Sequence, residues 1–206
     1  MAIKSVGTAL GLERIDVGME DSQLLEILLA EYNVLKTEQG QRIGFRDNII
    51  YVTLGSFGAI LSFAIADKVN YHALLLIPWV CVILGWTYLV NDDKISAIGR
   101  YIRDDLEKKI QTKLGTDTSL FDWEEAHRGD RRRKRRKFEQ LVIDLTTFVF
   151  SGISALIFFW HSVQNLSVGI GVLSIIELIF LVILGCEILA YADLNKNNPI
   201  DTAEDR

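Results

Sequence analysis

Residues 48–66 run for nineteen positions without a charged side chain, and residues 73–90 for eighteen. A hydrocarbon core about 30 Å thick takes about 20 helical residues at roughly 1.5 Å each. Both runs therefore have the length and composition of a membrane span. Two later stretches are of the same kind: 140–160, with the single acid Asp144, and 168–191, with Glu177 and Glu187. A soluble bundle would show polar residues every second or third position on its outer faces. Here four helices would need burial on every side within 206 residues. The expected fold class is all-α and integral to a membrane, with four transmembrane helices arranged as two hairpins with cytoplasmic helical extensions.

Basic residues that flank spans stay in the cytoplasm. Lys and Arg number five in 1–47 and fourteen in 91–137, but one in 67–72, none in 161–167 and two after residue 191. The bias assigns both termini and the central loop to the cytoplasm and leaves two short turns outside. The chain then divides into a cytoplasmic segment with an amphipathic helix (1–47), transmembrane hairpin 1 (48–90), a cytoplasmic helix and basic loop (91–137), transmembrane hairpin 2 (138–191) and a cytoplasmic tail (192–206). Residues 1–16 hold no continuous apolar stretch of the kind a cleaved signal peptide needs. The cell inner (plasma) membrane is the expected location, with the protein multi-pass. Tyr51, Trp86, Tyr88 and Tyr191 fall near the inner interface, and Tyr71 and Trp160 near the outer one.

The cytoplasmic parts carry helical patterning. Leu24, Leu28, Tyr32, Leu35 and Ile43 recur at helical spacing, with Asp21 or Ser22 as N-cap. No proline separates this helix from the first span. Ile95, Ile98, Ile102, Leu106 and Ile110 form a second stripe, which Gly115 should end. These stripes require a partner: each other, in a two-helix stalk, a neighbouring subunit, or the membrane surface. Gly55, Ala59 and Ser62 or Phe63 put small residues on one face of the first span, where helices can approach closely.

Acids inside spans cost about 2.5–3.5 kcal/mol each on insertion scales and usually face a bundle interior or a wet cavity. Asp144 heads a polar stripe with Thr147, Ser151 and Ser154. On an ideal helix these fall within an arc of about 100°, which suits a pore wall repeated around a homo-oligomer. A helix–helix interface would use the same hydroxyls. Glu187 sits at a depth similar to that of Asp144. Glu177 lies roughly 15 Å from Glu187 along the fourth helix, near the midplane. It reads as a protonated acid, a cation ligand or a proton relay, and no Lys or Arg inside a span is available to pair with it.

Residues 128–137 contain eight cations and one anion: Arg128, Arg131, Arg132, Arg133, Lys134, Arg135, Arg136 and Lys137 against Asp130. The run carries +7 on a chain whose total is −5, so the remainder carries −12. This is an acidic protein with one basic patch, unlike a uniformly basic nucleic-acid binder. Three readings stand. The run binds anionic lipid headgroups of the bilayer. It docks on the chain's own acids, such as Glu13, Asp16, Glu20 and Asp21. Or it receives a nucleotide or oligonucleotide.

No Gly-rich phosphate loop, HExxH or nucleophile elbow is present, so no enzyme and no cofactor is expected. His72, His127 and His161 are too scattered for a metal site. Cys81 and Cys186 lie in apolar runs as core or lipid-facing residues.

Glu31-Tyr32-x-x-Leu35-Lys36-x-Glu38-Gln39-x-x-Arg42-Ile43-x-x-Arg46-Asp47 before the first span resembles a group of bacterial multi-span proteins of poorly defined function. So do Pro78, Trp86, Asn91-Asp92, Ile95, Ile98-Gly99, Tyr101-Ile102-Arg103 and Trp123-Glu124. In architecture the chain also resembles small multi-span effectors of bacterial anti-phage systems, of the Hailong and cyclic-oligonucleotide types. That resemblance implies an oligomeric membrane channel or pore-forming effector controlled by a nucleotide signal. The alternatives are a membrane scaffold that recruits a soluble partner, or a proton-coupled carrier that uses Glu177 and Glu187.

Overall fold

The computed structural model describes residues 4–66, 68–116, 118–121, 133–163 and 166–192; the side chains of 4–20, 68–70 and 133–134 lie outside this description. Every element is helical. They are α1 (Lys4–Ala66), a 3₁₀ turn (Lys68–Leu75), α2 (Leu76–Tyr101), a π turn (Ile102–Leu106), α3 (Glu107–Leu114), α4 (Arg133–Asp144), a second π turn (Leu145–Phe150), α5 (Ser151–Ser162) and α6 (Val168–Tyr191). No strand occurs among the described residues. Four helices are long and apolar enough to cross a membrane: Asp21–Ala66, Tyr71–Leu114, Arg135–Ser162 and Val168–Tyr191.

The chain divides into two compact units. The first comprises 1–43 and 94–129. Its core joins Leu28 to Ile102, Leu106 and Ile110, with Leu25, Tyr32, Leu35 and Ile98 packed around them. The two apolar stripes thus cover each other. Ile98, Ile102, Leu106 and Ile110 are each four apart, and in an α-helix every such step drifts by about 40°. The π turn holds more residues per turn and takes back part of that drift. Glu107 N–H accordingly reaches five residues back to the Ile102 carbonyl. On α1 the stripe uses Leu25, while Leu24 and Ile43 remain exposed.

Asp21 and Ser22 do not cap a helix, because α1 is already helical from Lys4 and a cap residue needs non-helical backbone. Asp21 instead pairs with Lys113 at 2.8 Å. Gly115 does end α3: at φ 63° it adopts the left-handed conformation and returns its N–H to the Gln111 carbonyl. The segment beyond folds back onto α3 through Glu107, a buried carboxylate. It accepts from Leu120 N–H at 2.9 Å and Ser119 Oγ at 3.2 Å. Phe121 then stacks on Tyr32 with ring centroids 4.4 Å apart.

The second unit, 44–93 and 130–206, contains the apolar runs. One cluster gathers Ala64, Leu74, Cys81, Leu156, Phe159 and Leu181, and another Ile49, Tyr88, Leu141, Phe148, Leu184 and Ile188. Two glycines permit the close approach. A Cβ on Gly85 would stand 2.8 Å from Leu184 Cδ2, and one on Gly152 2.8 Å from Leu181 Cδ2. α6 starts on Ser167, whose hydroxyl accepts from Ile170 N–H, and buries a single face: Ser174, Glu177, Leu181, Leu184, Gly185 and Ile188. Its other faces remain apolar and open, with Ile175 55% and Val182 52% exposed. Such continuous apolar surface suits lipid and would promote aggregation in water. Gly55, Ala59, Ser62 and Phe63 are exposed.

Candidate functional site

Two polar features of the second unit stand out: a hydrogen-bonded network, and a buried carboxyl group with no hydrogen-bond partner among the described residues. The network lies where α1, α2 and α4 carry their spans' polar ends. Gln140 Nε2 donates to Tyr88 Oη at 2.6 Å and to Asp144 Oδ1 at 2.8 Å. Gln140 and Asp144 are four apart, so they share a face of α4. Tyr88 is almost wholly buried on α2 and is not an exposed interfacial anchor. Beside them Arg46 Nη1 meets Asp92 Oδ1 at 2.8 Å. This ion pair acts electrostatically on both Tyr88 and Asp144. Tyr51, Trp86 and Tyr191 are exposed, as residues at a lipid interface would be.

The stripe below Asp144 diverges. The second π turn separates Asp144 from Ser151, which alters the angular register of an ideal helix. Ser151 N–H bonds the Thr146 carbonyl, while its hydroxyl donates to the Thr147 carbonyl. Ser151 Oγ also lies 3.5 Å from Cys81 Sγ on α2. Thr147 is half-buried and Ser154 exposed. Within one chain the structure therefore brings Asp144 to Gln140 and Ser151 to Cys81, and turns Ser154 outward. Of the cysteines, Cys81 is buried and Cys186 exposed.

Glu177 is the buried carboxyl group. It is 1% exposed, and neither carboxyl oxygen has a hydrogen-bond partner among the described residues. One turn earlier on the same face, Ser174 Oγ receives the Trp160 indole N–H at 3.0 Å and donates to the Gly171 carbonyl at 2.9 Å. Glu187 is half-buried further along α6.

Of the basic run, Arg128, Arg131 and Arg132 lie outside the described residues, and Arg133 and Lys134 are described by backbone alone. Arg135 Nε pairs with Glu139 Oε1 at 2.7 Å, with the arginine 81% exposed. Arg136 and Lys137 also have interaction partners. Phe138, Val142 and Ile143 expose an apolar face immediately beyond, around a shallow groove that Glu139 also lines.

Sequence reasoning missed Tyr88, Gln140 and the Arg46–Asp92 pair. The four-residue spacing of Gln140 and Asp144 was a usable local signal. The α2 contacts had none, because they depend on how helices rotate against each other. No group of three His, Cys, Asp or Glu among the described residues is arranged to hold a metal.

Four apolar helices, an inner face bearing buried polar groups and an outer face of exposed apolar side chains define a multi-pass helical membrane protein. Compared with known proteins, the chain matches no family model, no curated protein and no solved structure.

Proposed function

We propose that this protein is a homo-oligomeric channel or pore-forming effector of the bacterial inner membrane. A cytoplasmic anionic signal, a nucleotide or oligonucleotide, binds run 128–137 and gates it, in the manner of an anti-phage effector. In this reading the four helices form two transmembrane hairpins, with both termini and the helical extensions in the cytoplasm. Asp144, Thr147, Ser151, Ser154, Glu177 and Glu187 line or support the ion pathway.

One observation carries the reading. The helix that begins within the basic run at Arg133 continues without a break through Asp144 and the π turn to Ser162. An anion drawing on Arg135 to Lys137 therefore pulls on the helix that holds Asp144, Gln140 and Ser151. A π turn in the middle of such a helix is a natural place for it to change register.

The purified protein in planar bilayers should pass steady ion currents. Asp144→Asn and Glu177→Gln should alter conductance or selectivity, and unchanged currents in both variants would sink the pore assignment. Replacing Arg131, Arg132 and Arg133 by Gln should abolish oligonucleotide binding together with its steep salt dependence. If those changes weaken only binding to anionic vesicles, the run is a lipid anchor. The unpartnered Glu177 favours a second reading, a proton-coupled carrier, which would show pH-linked uptake and no steady current.

A further inference from the structure

Glu177 is the one buried carboxyl group of the four-helix unit whose oxygens both lack a partner among the described residues. Among the described residues, no titratable side chain of this unit completes a hydrogen bond to it. Cys81 of α2 directs its thiol to Ser151. Tyr71 sets its ring edge-on to Phe158. His161 at the end of α5 is exposed, and residues 48–66 of α1 hold no charge. Asp144 is engaged by Gln140, and Glu187 lies ten positions further along α6. The Trp79 indole of α2 acts on Glu177 without completing a hydrogen bond. An ionised carboxylate this deeply buried, with no completed hydrogen bond, is disfavoured relative to the neutral acid.

We propose that Glu177 is a proton-binding site: the bundle closes around the protonated acid, and loss of that proton requires the bundle to open and admit water or a cation. On the same buried face of α6, Leu181 follows it by one turn and clusters with Leu156 and Phe159, side chains that have nothing to offer a charge, so proton occupancy and closure are one equilibrium. This deepens the channel reading and rests on it for the gating step alone; the proton site itself does not depend on currents.

A protonated carboxyl in an apolar interior has a specific chemistry. It adds across a C=N bond of an apolar carbodiimide: a carboxyl oxygen bonds to the central carbon, the acid proton passes to nitrogen, and no group leaves. The adduct then rearranges to a stable N-acylurea. Dicyclohexylcarbodiimide applied to the full-length protein in membranes should therefore modify Glu177, read by peptide mass spectrometry. The yield should fall as pH rises, and E177Q should show no adduct at that position. A water-soluble carbodiimide should mark exposed acids such as Glu139 and spare Glu177.

Thermal unfolding supplies a second readout. Where the closed bundle holds the proton, raising the pH withdraws it and with it the stability of the closed form. The wild-type midpoint should fall with rising pH by more than that of E177Q. Absence of a Glu177 adduct while other acids react, a yield independent of pH, or equal pH slopes in both proteins would each overturn the proposal. If no currents are found but labelling follows this pattern, the channel reading fails and the proton site stands.

Discussion

Gln140 on α4 spans the gap to α2 with a single amide nitrogen, 2.6 Å from the Tyr88 hydroxyl and 2.8 Å from the Asp144 carboxylate. The amide lets a buried tyrosine and an intramembrane acid share one donor. It also ties the helix that begins within the basic run to α2 in the same unit. Removing it would leave Asp144 half-buried without that donor, and leaving a buried acceptor unmet costs more than the hydrogen bond itself contributes.

Gln140→Leu is expected to lower stability by about 1–3 kcal/mol, and Tyr88→Phe by about 1 kcal/mol. Because both changes remove the same contact, the double variant should lose less than the sum. Unfolding midpoints in detergent measure all three. Strict additivity would mean the Gln140–Tyr88 bond contributes nothing.

Gly85 and Gly152 are closely covered, whereas Gly55 has nothing within 4 Å of a built Cβ. Gly85→Ala and Gly152→Ala should each destabilise the helical bundle by about 1–3 kcal/mol through overpacking. Gly55→Ala should be neutral or mildly stabilising for the single chain. Thermal unfolding of the three variants side by side tests the ranking.

Glu107 anchors the segment after α3 by accepting from Leu120 N–H and Ser119 Oγ. Glu107→Ala should cost about 1.5–3 kcal/mol, the range for hydrogen bonds to a charged group. Limited proteolysis should cut near residues 118–121 sooner in the variant. Unchanged cleavage would show that the segment is held by packing alone.

Phe121 lies parallel to Tyr32, with 3° between the ring planes. Phe121→Leu keeps an apolar side chain and removes the stacked ring, so it should cost about 0.5–1.5 kcal/mol. A double variant with Tyr32→Leu should lose less than the sum of the two single losses, as read by a double-mutant cycle from unfolding midpoints.

Much of the architecture is local and therefore readable along the chain. Runs such as 48–66 and 168–191 need no partner to declare that they avoid water, because transfer into hydrocarbon is summed residue by residue. Gly115 announces the end of α3 by its own backbone freedom. The stripe Ile98, Ile102, Leu106 and Ile110 identifies a buried face at helical spacing, and the structure packs it on Leu28. The start of α1 was not legible, since a cap residue such as Asp21 marks a boundary only if the preceding residues leave the helix, and here they do not.

The candidate site divides in the same way. The sequence by itself determined that Asp144, Glu177 and Glu187 stand inside apolar runs and that a dense basic run adjoins the third. Only the tertiary structure decided that Asp144 is met by Gln140, that Ser151 turns to Cys81, that Tyr88 is interior and that Glu177 completes no hydrogen bond among the described residues. The physical reason is rotational. Hydropathy accumulates along a helix axis, but a hydrogen bond between helices depends on rotation about that axis. Close contacts at Gly85 and Gly152 and a π turn at Leu145–Phe150 set that rotation.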